Sequence, residues 1–176
     1  MAIPMGELIT PSSVAGSGVS LSGAKVVFTA ATTININGVF SATHDTYLIV
    51  VRMKPASLNP NLQARLRVSG TDATASNYTR QYLVAGGTSV SGGRSTESYA
   101  TVGFASGGEG GSHVFIYGPA LAQPTAFRSV CVSAFADAYI QDDACTHSLS
   151  TAYDGITLYP SSDNITGALT IYGLSQ

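Results

Sequence analysis

The chain has 176 residues and a formal net charge of −2, with 44% hydrophobic and only 10% charged residues, against about 25% charged in an average soluble domain. The eight Lys and Arg are scattered without a basic cluster, so a phosphate-tracking surface, and with it nucleic acid as a partner, is not expected. No apolar run approaches the roughly 20 residues that span a bilayer, so no membrane insertion is expected.

The first segment, "MAIPMGELITPSSVAG", lacks the positive n-region and apolar h-region of a secretory signal, which predicts a protein made and assembled in a cytoplasm. Pro4, Pro11 and the run "SSVAGSGVSLSG" neither nucleate a helix nor anchor a core. Only "ELIT" looks able to pair. Residues 1–23 are therefore expected to form an extended N-terminal arm that meets another chain through Leu8 and Ile9, with residues 24–176 as one sandwich domain. The alternative is that "ELIT" is an ordinary first strand and the Ser/Gly run a surface loop.

Short strand-like segments follow. "AKVVFTA" begins at Ala24 and "TYLIVVRM" at Thr46. "LQARLRVS" sets Leu62, Ala64, Leu66 and Val68 against Gln63, Arg65 and Arg67, the period of two that gives a strand a core face and a second face. Asn59 and Pro60 before it could open a helical turn. "NYTRQYLVA" starts at Asn77, "SHVFIYG" at Ser112 and "TAFRSVCVSAFADAYI" at Thr125. Between them, Gly86 to Gly111 holds nine of the nineteen glycines in 26 residues. This stretch is expected to be two flexible loops around a short strand in "ESYATVGF". Near the end, "ITLYPSSDNITGALTIYGL" sets Ile156 and Leu158, then Leu169 and Ile171, against Thr157, Tyr159, Thr170 and Tyr172. The turn formers between them predict a β-hairpin. Short alternating strands divided by turn residues define an all-β sandwich or barrel. Tyr159 and Tyr172 either face a neighbouring subunit or pack inward at the sandwich edge.

Chemistry is sparse. His44, His113 and His147 lie far apart, and Asp142 and Asp143 with His147 form the one local set of metal-ligand types. It has no second cluster and no regular spacing, so no metal is expected. "GTSVSG" at Gly87 to Gly92 fails the nucleophile-elbow spacing, and no phosphate loop or dinucleotide fingerprint is present. No catalytic residue and no cofactor is assigned. A hydrolase would need two carboxylates converging on a cleft, and adjacent Asp142 and Asp143 on a strand would face opposite sides. Cys131 and Cys145 are too few for a disulfide framework, and cytoplasmic assembly disfavours a bridge. In "GGRSTESY", Arg94, Glu97 and Tyr99 could supply hydrogen bonds and a stacking ring to a sugar, which keeps a host-surface carbohydrate-binding module as an alternative.

The order of these segments resembles a family of small all-β virion proteins of tailed bacteriophages, described as minor tail or tail-fibre-associated proteins. The resemblance runs from "ELIT" through Val26 to Phe28, "TYLIVV", "ARLRVSGTDATASNY", "VFIYGP" and Arg128 to the closing "IYGL". It covers Glu7 to Leu174, departing where "SG" stands after "RLRV" in place of the more usual "NG". It implies a single jelly-roll-like antiparallel β-sandwich and a non-enzymatic structural role on the particle exterior, at the tail, tail fibre or baseplate. A head decoration or neck protein is the alternative. The expected partners are other virion proteins and sister subunits, a trimer being the favoured homo-oligomer, while host surface glycan belongs to the carbohydrate-binding alternative.

Overall fold

The computed structural model describes residues 6–57, 59–105, 108–133 and 139–174. Among them are sixteen strands and no helix. In chain order they are β1 (Glu7–Ile9), β2 (Ser13–Ala15), β3 (Val19–Ser22), β4 (Lys25–Ala31), β5 (Ile34–Asn37), β6 (Thr46–Pro55), β7 (Asn61–Val68) and β8 (Thr71–Asp72). Then come β9 (Tyr78–Gly86), β10 (Ser89–Glu97), β11 (Ala100–Phe104), β12 (Gly110–Tyr117), β13 (Thr125–Ser133), β14 (Ile140–His147), β15 (Gly155–Pro160) and β16 (Ile165–Leu174).

The strands form two antiparallel sheets. The larger runs β10-β9-β14-β13-β12-β6-β16-β4-β3, with β1 also on β16. The smaller runs β11-β7-β15-β5-β2, with β8 on β7. The period of two decides what lies between them. Tyr47, Ile49, Val51 and Met53 of β6 face inward with Ile116, Leu169 and Ile171. Leu62, Ala64 and Leu66 of β7 meet them from the other side with Ile34, Ile36, Ile156 and Leu158. All belong to one apolar core, and burying each such side chain stabilises by about 1.5–3 kcal/mol. The chain is an all-β antiparallel sandwich, as its alternation predicts.

Three local expectations are corrected. The closing segment is not a hairpin. β15 pairs with β5 and β7 in the small sheet, whereas β16 pairs with β4 and β6 in the large one. The two apolar faces were read correctly, but they meet across the core from opposite sheets. The connecting turn, with Asp163 at φ 64°, carries the chain from one to the other. Second, the described part of the N-terminal segment is no free arm. β1 pairs with β16, β2 with β5 and β3 with β4. The boundary drawn after residue 23 cuts between Ser22 and Lys25, which are opposite each other. Its side chains are too few to make a core, yet each short strand completes an existing ladder, which is all its backbone requires.

Third, the glycine-rich stretch is mostly strand. β10 is nine residues long and pairs with β9 throughout. A Cβ on Gly92 would meet Leu83 Cδ2 at 3.0 Å, and one on Gly93 would meet the Tyr82 hydroxyl at 2.8 Å. The two glycines are thus where β9 side chains lean over their neighbour. The polar "QDDACTH" lies in strand β14, between β13 and β9.

Candidate functional site

The outer face of the large sheet positions the candidate site. The registers of β12, β13, β14, β9 and β10 align outward residues in four rows. The upper two are Gly111–Val132–Ile140–Ala85–Val90 and His113–Val130–Asp142–Leu83–Gly92. The lower two are Phe115–Arg128–Ala144–Gln81–Arg94 and Tyr117–Ala126–Thr146–Thr79–Thr96.

The upper half is apolar and open to water. Leu83 is 60% exposed, Val90 75%, Val130 48%, Val132 49% and Ile140 52%. Two adjoining hollows cross it, about 450 Å³ and 280 Å³, sharing Val130 and Ile140. The ion pair of Arg52 with Glu109 borders the larger.

The lower half is a polar trough of about 290 Å³ lined by Thr79, Gln81, Arg94, Ala126, Ala144 and Thr146. Its floor is low because Ala126 and Ala144 carry only methyl groups. On the β12 side, Phe115 and Tyr117 hold their rings 6.3 Å apart and 13° from parallel. Arg128 is oriented by Asp142, with N···O distances of 2.8 and 3.4 Å. That hydrogen bond raises the pKa of Arg128 above its ordinary value.

Buried polar groups elsewhere are structural. Arg67, on the outer face of the small sheet, donates to Asn35, Asn37, Asp72, Thr157 and the Gly70 carbonyl. On the inner face of the large sheet, Arg80 donates to Asp143, which also accepts from Gln141. Burial, ahead of these hydrogen bonds, pushes the Asp143 pKa up. His147 is fully buried, with Nε2 2.6 Å from the Tyr153 hydroxyl. Its pKa is lowered by the same loss of water.

The residues singled out from sequence separate. Arg94 lies on the outer face of edge strand β10 and in the trough, whereas Glu97, three residues on, faces inward opposite Tyr78. Tyr99 follows in the connection to β11. These three do not converge on one ligand. Leu8 and Tyr172 are cross-strand neighbours on the large sheet's outer face, while Ile9 packs against the core. Tyr159 belongs to the small sheet, with the Arg65 guanidinium 4.9 Å above its ring. Asp142 faces outward, whereas Asp143 and His147 face inward four residues apart, about 13 Å along a strand. They form no metal set, and among the described residues no group of three His, Cys, Asp or Glu side chains does. Cys131 and Cys145 are both free and buried. Cys131 opposes Gln141 and Cys145 opposes Phe127, so the thiols sit about 13 Å apart along the strands, beyond disulfide reach. Sequence reading missed Gln81, Phe115, Tyr117 and Thr146. Their shared face depends on the register between strands distant in the chain, although the alternation within each was visible.

No protein-family model matches the chain, and no curated protein does. Among solved structures, the CBM2 module of the evolved Dit of Lactobacillus casei BL23 phage J-1 aligns over 97% of this chain and 97% of that one. The identity is 9% and the TM-score 0.29.

Proposed function

We propose that this chain is a non-enzymatic structural protein of a tailed bacteriophage. It is carried on the particle exterior at the tail, a tail fibre or the baseplate, and it docks there through the apolar half of the large sheet's outer face. The observation that supports the docking is the clustering of Leu83, Val90, Val130, Val132 and Ile140 on one face. Contiguous exposed apolar surface is uncommon on a monomer and typical of a face that meets protein. The partner is another virion protein or a sister subunit, and the low overall charge suits such a neutral contact. The attribution to a phage particle rests on the ordered sequence resemblance.

Two measurements test this reading. Mass spectrometry of purified virions should detect the chain, and its absence would sink the particle role. The double variant Val132→Ser/Ile140→Ser should then weaken incorporation. Full burial of such a side chain contributes about 1.5–3 kcal/mol, so the half still exposed contributes about 1 kcal/mol each. Together that is about 2 kcal/mol, or about 30-fold in affinity. Incorporation at the parent level would remove the docking face. Imaging of labelled particles distinguishes a tail position from the head or neck.

A further inference from the structure

We propose that the polar half of the same face is a saccharide-binding trough, separate from the apolar docking half. The ligand is a pyranose oligosaccharide lying across β13, β14 and β9, between the aromatic side chains of β12 and the polar side chains of β9 and β10.

Three features point to this ligand. First, the space fits. From β12 to β9 is three strand spacings, about 14 Å, and the registers place Ala126, Thr146 and Ala144 between them, with Arg128 beside Ala144 and bonded to Asp142. A sugar ring can rest on Ala126, Ala144 and Thr146 while Arg128 stays on Asp142. Second, the walls match the two characters of a pyranose. Its C–H face is apolar and suits an aromatic ring, and Tyr117, 41% exposed, stands opposite Ala126 on the strand beyond the hollow's lining, with Phe115 parallel to it. Its rim of hydroxyls needs donors and acceptors at fixed angles. Gln81 and the guanidinium fork of Arg94 provide them on the far side. Arg128 provides a second fork, already oriented by Asp142. Third, the backbone is closed to the ligand. β13, β14 and β9 are each paired on both sides, so their amides are committed to the ladder. An extended peptide would find no main-chain partners here, whereas a sugar is read by side chains alone.

The test begins with a glycan array of neutral hexose, N-acetylhexosamine and uronate oligosaccharides, followed by calorimetric titration of the strongest binder. Tyr117→Ala removes the ring. Ala144→Gln fills the floor from an exposed position, and Arg94→Ala removes the far donor. Tyr117→Ala and Ala144→Gln are each expected to weaken binding tenfold or more, and Arg94→Ala at least fivefold. Ser20→Ala, at the opposite edge of the same sheet, is expected to leave it unchanged. Thermal unfolding checks that each variant is folded. Amide shift mapping with the bound saccharide supplies a readout that needs no variant, and it should centre on Thr79, Ala144 and Thr146. Failure of every saccharide to bind at millimolar concentration overturns the proposal. So does binding that survives both Tyr117→Ala and Ala144→Gln, or shifts centred elsewhere. Incorporation into virions is read separately through Val132→Ser/Ile140→Ser, so loss of either site leaves the other standing.

Discussion

Arg67→Met removes the charge that ties four segments of the small sheet together. The Arg67 side chain is only 9% exposed. Its Nη1 reaches Asn35 Oδ1 at 2.9 Å and Asp72 Oδ1 at 2.6 Å, and Nε reaches Asn37 Oδ1 at 3.1 Å. It therefore links β7 to β5, to β15 through Thr157, and to the β7–β8 turn through the Gly70 carbonyl. Hydrogen bonds to a charged group contribute about 1.5–3 kcal/mol each when buried. Asp72 is 22% exposed and Asn35 and Asn37 are half-buried, so water recovers part of that loss. Thr157 still offers its one hydroxyl proton, shared between Asn35 and Asp72. The net cost is about 3 kcal/mol, at the low end for breaking a buried ion pair from one side. At 2–4 °C per kcal/mol for a chain of this size, Tm falls by about 6–12 °C. Urea unfolding followed by circular dichroism gives the value directly. Arg67→Met/Asp72→Asn should recover part of the loss, because no unpaired carboxylate remains. A single variant within 1 kcal/mol of the parent would show that the cluster is decoration on a sheet held by its core alone.

Three further outcomes are expected. His147 is neutral in the fold, with its pKa lowered by burial from an ordinary 6.5. The unfolded chain takes up a proton that the folded one refuses, so this site's contribution is present above pH 6.5 and is lost as pH falls below it. Urea midpoints at pH 7.5 and 5.0 should differ less for His147→Gln than for the parent, and an equal difference would exclude His147 as the cause. Burial pushes both thiols up to about 12. A thiol reagent at pH 8 should therefore leave Cys131 and Cys145 unmodified until denaturant is added, and fast labelling of the native protein would contradict their burial. Deleting residues 1–22 strips β1, β2 and β3 from β16, β5 and β4, so lower Tm or aggregation is expected on thermal unfolding. An unchanged Tm would restore the reading of this segment as an attachment arm.

Within single strands, side-chain chemistry alone determined the outcome. Leu62, Ala64 and Leu66 alternate with Gln63, Arg65 and Arg67, and Ile156 and Leu158 alternate with Thr157 and Tyr159. In each case the apolar set faces the core, except Val68 at the end of β7, which is 38% exposed. Gln63, Arg67 and Thr157 on the other face are shielded too, and Arg67 and Thr157 keep hydrogen-bond partners there. That alternation was enough to establish the all-β class. Partner choice was decided elsewhere. Ile156 to Leu158 and Leu169 to Ile171 read as one hairpin from their turn, yet they lie in opposite sheets because each finds a longer ladder with a distant strand. Gly92 and Gly93 read as loop because a glycine's own preference is for turns. They became strand when Leu83 and Tyr82 of β9 covered them. The trough could not be seen in sequence for the same reason: Tyr117, Ala126, Thr146 and Thr79 come from four strands. Their common row exists only because backbone hydrogen bonds set the register between strands, and that register is a property of the assembled sheet.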